Sequence, residues 1–217
     1  MADADSRSGT VYLDQAILEW VARIHAPHDE ALQAAYDAPG REEMPAIQVG
    51  PSEGKLLSLL LRMVGARKVV ELGTLAGYSA IHLARALPPG GRLWTVEADP
   101  RHAKVARGAL AKAGLDDRVE VVVSRAADVL ADLERHGPFC AVFLDADKES
   151  YEQYGRWAAR NVRRGGLLLA DNAFLFGELL ADDARAQGMR RFHETAREAF
   201  DTVCIPTPDG LLLGVKR

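Results

Sequence analysis

Val69–Val70–Glu71–Leu72–Gly73–Thr74–Leu75–Ala76–Gly77–Tyr78–Ser79 reads as a short apolar strand, a turn carrying two glycines and the start of a helix. A turn of this kind lets a small ligand approach the backbone closely and places it at a helix N-terminus. Its glycines are spaced G-x-x-x-G, not G-x-G-x-x-G, which steers the reading away from dinucleotides. Glu71 closes the strand, where a carboxylate can hold hydroxyl or amino groups.

Outward from this segment the pattern alternates between strands and helices. Strands are expected at Lys68–Leu72, Arg92–Glu97, Val119–Val123, Phe139–Leu144 and Leu167–Asp171. Helices are expected between them at Tyr78–Leu87, Arg101–Ala113, Ala127–His136 and Tyr151–Asn161. Near-continuous apolar strands imply a parallel sheet covered on both faces. Asp201–Ile205 and Leu211–Lys216, joined by Pro206–Thr207–Pro208–Asp209–Gly210, form an antiparallel hairpin at one edge. Toward the N-terminus, Ile17, Leu18, Val21 and Ile24 mark one apolar helix face with Trp20 beside it. A second helix runs from about His28 to Asp37, Pro39–Pro51 is a loop, and Ser52 caps a helix carrying Leu56, Leu57, Leu60 and Leu61. The fold class is α/β: a doubly wound sheet, whose ligands sit at the carboxyl ends of the strands.

The whole chain sets the bounds. Its 217 residues suffice for one α/β domain with a full core. A net charge of -4 with interspersed signs offers no basic patch for nucleic acid. No apolar run reaches the length of a membrane span. Met1–Thr10 is polar and acidic, expected to be a loose tail and not a signal peptide. Cys140 and Cys204 form no metal or redox motif and lie in apolar runs, which suggests buried thiols in a reducing cytoplasm. The six histidines are scattered without zinc spacing and read as surface or packing residues. Trp20, Trp94 and Trp157 read as core or interface.

Two constellations carry chemistry. Glu97 ends the second strand roughly two dozen residues after Gly73, where an acid accepts hydrogen bonds from ribose hydroxyls in nucleotide-type sites. Taken alone, Gly73 and Gly77 merely shape a turn. The second constellation is Leu144–Asp145–Ala146–Asp147–Lys148 with Ala170–Asp171–Asn172, each following an apolar strand. Neighbouring strands lie about 4.8 Å apart, so Asp145, Asp171 and the Asn172 amide can converge. Three oxygen donors without cysteine or histidine favour a hard cation such as Mg²⁺. Taken singly, these residues are ordinary helix caps and turn formers. Lys148 stands one helical step from the proposed metal and is the candidate general base.

Together these motifs resemble the cation-dependent class I O-methyltransferases, the group of the catechol and caffeoyl-CoA enzymes. The matching words are Ile47–Gln48–Val49, Ser52–Glu53–Gly54, Glu71–Leu72–Gly73, Gly77–Tyr78–Ser79, Val96–Glu97–Ala98–Asp99–Pro100, Leu144–Asp145–Ala146–Asp147–Lys148, Gly165–Gly166, Asp171–Asn172 and Asp209–Gly210–Leu211. The resemblance implies a Rossmann-like seven-stranded sheet and S-adenosylmethionine as methyl donor. It implies one methyltransferase domain over 1–217, with a tail and helices over 1–45 and a catalytic core over 46–217. By motif position, Val49, Glu71, Gly73, Thr74, Ser79, Glu97, Ala126 and Asp145 are the cofactor contacts. Glu71 and Gly73 fall near the methionine moiety, Ser79 at its carboxylate, Glu97 on the ribose and Ala126 beside the adenine. Asp145, Asp171 and Asn172 match the metal ligands, and Lys148 the base. The acceptor implied is a small catechol-like or phenolic molecule, and the assembly a cytoplasmic homodimer. Two departures stand out: Ala173–Phe174–Leu175–Phe176–Gly177 occupies a stretch where many relatives place a tryptophan, and His193 replaces an asparagine. An NAD(P)-dependent Rossmann oxidoreductase and a non-catalytic S-adenosylmethionine-binding module remain as alternatives.

Overall fold

The structure, a computed structural model, describes residues 14–217 together with Asp5 and Ser8. The expected tail at Met1–Thr10 therefore lies almost wholly outside the described residues. From the N-terminus the elements are α1 (Gln15–His25), α2 (Glu30–Arg41), α3 (Pro51–Met63), β1 (Lys68–Leu72), α4 (Tyr78–Ala86), β2 (Arg92–Glu97) and α5 (Pro100–Lys112). They continue with β3 (Val119–Val123), α6 (Ala126–Glu134), β4 (Phe139–Leu144), α7 (Tyr151–Asn161), β5 (Val162–Ala170), α8 (Ala184–Ala199), β6 (Phe200–Ile205) and β7 (Leu211–Lys216). Short 3₁₀ turns at Lys148–Ser150 and Leu175–Gly177 follow β4 and β5.

The seven strands form one sheet in the order β3-β2-β1-β4-β5-β7-β6. β1 pairs in parallel with both β2 and β4, and β5 in parallel with β4. β7 runs antiparallel between β5 and β6. The chain leaves β1 toward β2 on one side and later returns to β4 on the other. That reversal opens a crevice at the carboxyl ends of β1 and β4, the place where such sheets bind ligands. Two apolar clusters cover the faces. Helices α2–α5 bury Leu57, Leu61, Tyr78, Ile81 and Leu110 against one. Helices α6–α8 bury Leu130, Tyr154, Trp157, Met189 and Phe192 against the other.

Several local expectations are corrected. The loop expected from Pro39 begins later, because α2 continues to Arg41 with Pro39 in its last turn. A proline there removes a single ladder bond, and Ala38 packs with Met44 and Ala76 at the same end. Ser52 is not the cap of α3: Gly50 is, with Pro51 in the first turn, the position where proline's fixed φ suits a helix. Glu53 Oε2 accepts from the Gly50 N–H at 2.7 Å, closing that turn. β5 starts at Val162, not Leu167, because Phe139 pairs with Val162 and Ala141 with Leu167, leaving Arg163–Gly166 as a bulge. Helix α1 forms, yet none of its residues is buried, and Ile17, Trp20 and Ile24 are exposed. Cys140 is buried as expected, whereas Cys204 is only half-buried.

Candidate active site

Strand β1 ends at Leu72, and the next residue cannot carry a side chain. Gly73 has φ +99°, and a Cβ there would overlap the Asp145 carbonyl oxygen. The close approach follows from the sheet: Gly73 N–H donates to the Val96 carbonyl at 3.0 Å and Asp145 N–H to the Leu72 carbonyl at 2.7 Å. The loops after β1 and β4 are thus packed backbone to backbone. Gly77, with φ +86°, then caps α4. Ser79 lies in the first turn of that helix, where free N–H groups and the helix dipole favour an anion.

Glu97, at the end of β2, braces this loop. Its Oε2 accepts from the Leu75 N–H at 2.8 Å and the Thr74 N–H at 3.3 Å, and its Oε1 from the Asp99 N–H at 3.0 Å. Leu75 adopts a left-handed conformation, φ +49°, within that embrace. Carboxylate oxygens carry about four acceptor positions in all, so Glu97 retains capacity for a ligand's hydroxyls. His102 Nδ1 stands 3.7 Å from Oε1.

The loops after β4 and β5 lie side by side, since Leu144 pairs with Ala170. Lys148 Nζ donates to Asp145 Oδ1 at 3.0 Å and to the Tyr151 hydroxyl at 2.9 Å. The Tyr151 hydroxyl sits 3.1 Å from the Leu144 carbonyl and 3.0 Å from that of Asp171, tying both strand ends to one phenol. Burial, reinforced by the neighbouring Asp145 charge, pushes the Asp171 carboxyl up to about 7. Burial likewise raises Asp145, against the pull of Lys148. Two buried carboxyl groups at adjacent strand ends, with Asn172 next in the chain as a third oxygen donor, form an all-oxygen set whose one positive partner is Lys148 Nζ. That fits a hard divalent cation. Among the described residues no cluster of three or more His, Cys, Asp or Glu is placed to hold a metal, so the fit rests on two carboxylates plus an amide.

A cavity of about 700 Å³ gathers these parts. Of the residues expected at the site, Val49, Gly73, Thr74, Ser79, Glu97, Ala126, Asp145, Lys148 and Asn172 line it. Two do not. Asp171 is buried, and its neighbour Asn172 carries the lining at that point. Glu71 is fully buried beneath the loop, its Oε2 accepting from the Thr95 hydroxyl at 2.6 Å. Burial lifts the Glu71 carboxyl to about 8, opposed by the Ser79 and Thr95 hydroxyls. Glu71 therefore supports Ser79 and the threonines from behind.

The sequence reading missed several residues. Tyr151 stands in the sequence only as the first residue of an expected helix. His102 lines the cavity beside Glu97, and Phe176 lines it from the loop after β5. His193, expected as surface or packing, bonds the Ala173 carbonyl at 2.8 Å and so holds the segment that carries Asp171 and Asn172.

The sequence matches the protein family described as O-methyltransferase over residues 23–217. It is 49% identical over 198 residues to a catechol O-methyltransferase of Mycobacterium tuberculosis, covering 87% of this chain and 90% of that protein. It is 40% identical over 213 residues to a catechol O-methyltransferase of Niastella koreensis, covering 93% and 96%. Among solved structures, the O-methyltransferase from Bacillus cereus in complex with SAH superposes with a TM-score of 0.88 at 36% identity, covering 93% of this chain and 97% of that one. These likenesses span the cavity and both constellations, and they decide against the oxidoreductase and the non-catalytic readings: the chain belongs to the S-adenosylmethionine-dependent O-methyltransferases.

Proposed function

We propose that this enzyme transfers the methyl group to one of two neighbouring hydroxyls on a small catechol-like molecule, with a divalent cation held by Asp145, Asp171 and Asn172. The observation that carries this reading is the pair of buried carboxyls at adjacent strand ends, both raised by burial, with Lys148 Nζ 3.0 Å from one of them. The catechol O-methyltransferase relatives support the substrate class.

The donor sulfonium is intrinsically activated, so the protein's work is placement. In this reading Ser79 and the first turn of α4 take the donor's carboxylate, Glu97 its ribose and the Ala126 backbone its adenine, and all of them line the one cavity. Glu71 holds Thr95 and the Gly73–Ser79 turn from below. A divalent cation at the three oxygen donors would supply charge that favours the acceptor's oxyanion and fixes the direction of both its oxygens. Asp145 Oδ1 and the Tyr151 hydroxyl hold Lys148 Nζ beside that position. Lys148 Nζ is the acceptor for the proton of the substrate hydroxyl. The resulting oxygen attacks the methyl carbon in line with the carbon–sulfur bond. Sulfonium and oxyanion charge disappear together, a change that a dry cavity assists.

The experiment is methylation of catechol with labelled donor by EDTA-treated protein, with and without added Mg²⁺. Activity that depends on the added ion supports the reading; equal rates in the metal-free protein overturn it. The exposed apolar residues of α1, Ile17, Trp20 and Ile24, favour a homodimer, which light scattering checks.

A further inference from the structure

The tip of the β6–β7 hairpin grips the loop that follows β5. Ala173 N–H donates to the Gly210 carbonyl and Phe174 N–H to the Asp209 carbonyl, both at 2.9 Å. The Phe174 ring covers Gly210 so closely that a Cβ there would stand 2.7 Å from it. The grip ends in one side-chain contact: Asp209 Oδ1 accepts from the Phe176 N–H at 2.8 Å. Phe176 itself is left-handed, with φ +57° and ψ +32°, a conformation a bulky residue holds only when its surroundings dictate it. The residue is 58% exposed and lines the cavity together with Asn172 and Lys148.

A second observation singles out Asp209. Its other oxygen, Oδ2, is buried and has no hydrogen-bond partner among the described residues. A buried carboxylate oxygen left unpaired is costly and calls for a reason. The same carboxylate holds the Phe176 N–H through its other oxygen, and Arg185 lies over the Phe176 ring with its guanidinium carbon 5.4 Å from the centroid, so backbone and ring are each held at the cavity rim.

We propose that Asp209 is a positioning residue for the methyl acceptor: its carboxylate, delivered by the hairpin tip, fixes Phe176 as the aromatic wall against which a flat acceptor lies beside Lys148. Within the one cavity, the residues expected on the donor's carboxylate, ribose and adenine lie on the loops after β1, β2 and β3, and the Asp209–Phe176 bond involves none of them. Asp209 thus governs how well acceptors are held and which shapes are accepted, without governing donor binding. This rests on the proposed acceptor class and specifies what limits it.

The test compares D209A, D209N and F176A with the wild type. D209A is expected to raise KM for a catechol about tenfold with kcat changed less than threefold. Its Kd for SAH stays at the wild-type value. D209N keeps an oxygen acceptor at the same place and restores most of the KM. F176A raises KM on its own, and adding D209A to it brings no further increase, since both act through one ring. Hydrogen exchange provides a reading independent of turnover: the Phe176 amide is protected in the wild type and loses that protection in D209A. Unchanged KM and amide exchange in D209A would overturn the proposal. So would an equal weakening of SAH binding, or full additivity in the double variant. Failure of the wild type to methylate any catechol would instead strike the acceptor class, and the amide exchange would still judge the clamp.

Discussion

Replacing Glu71 by glutamine should change how stability depends on pH more than it changes anything else. Glu71 is fully buried under the Gly73–Ser79 turn, and burial lifts its carboxyl from 4.5 to about 8. The unfolded chain releases this proton near pH 4.5, whereas the folded protein keeps it until about pH 8. Between those values the native state binds the extra proton, so the stability Glu71 contributes is fully present below pH 4.5 and is lost as pH rises through 8. At about 1.4 kcal/mol per pH unit, that loss is of order 5 kcal/mol, an upper bound because the site can relax or admit water. Glutamine carries no titrating proton, and its carbonyl can still accept from the Thr95 hydroxyl. Urea unfolding of wild type and E71Q at half-unit steps from pH 5 to 9 isolates the effect, because every other group, Asp171 included, is common to both proteins. The stability difference in favour of E71Q should widen steadily with pH and level off above about 8. Parallel curves across that range would refute the assignment of a neutral buried carboxyl at this position.

Gly73→Ala should lower the melting temperature and abolish SAH binding in calorimetry. The left-handed backbone alone costs about 1–2 kcal/mol, and the new Cβ would overlap the Asp145 carbonyl. Lys148→Met should reduce kcat at least about 100-fold, the usual scale for a lost general base, with Kd for SAH within twofold of wild type. His82, on α4 and buried against Gly54 of α3, is pushed down to about 4 by that burial and by nearby His28, and gives the opposite pH trend from Glu71. Its stability contribution is present above 6.5 and lost as pH falls toward 4, about 3 kcal/mol in all. His82→Leu should flatten the acid side of the unfolding curve between those values.

The strands were legible because each is an apolar run bounded by glycine, proline or charge, and their period differs from that of the flanking amphipathic helices. The ends of β1–β4 and β7 fall where the sequence puts them. Elements decided by context were misread. Val162–Gly166 looks like a loop with its arginines and glycines, yet β4 recruits it across a bulge. Pro39 looks like a helix stop, yet packing at Met44 and Ala76 carries the turn through. At the site, Glu97, Asp145, Lys148 and Asn172 were readable as polar residues ending apolar strands. Tyr151, His102 and Phe176 were not, because a tyrosine on a helix or a phenylalanine in a loop is ordinary until its neighbours are known.

Sequence alone determined the kinds of group at each strand end, since hydrophobic periodicity and glycine chemistry are local properties of the chain. Tertiary structure decided which of those groups meet. Only the pairing of β4 with both β1 and β5 brings the Asp145 loop against Gly73 on one side and beside Asp171 on the other. Only the return of β7 next to β5 carries Asp209 to Phe176. Such contacts join residues tens of positions apart, and their energies depend on burial and on distance through space, quantities that no stretch of sequence contains by itself.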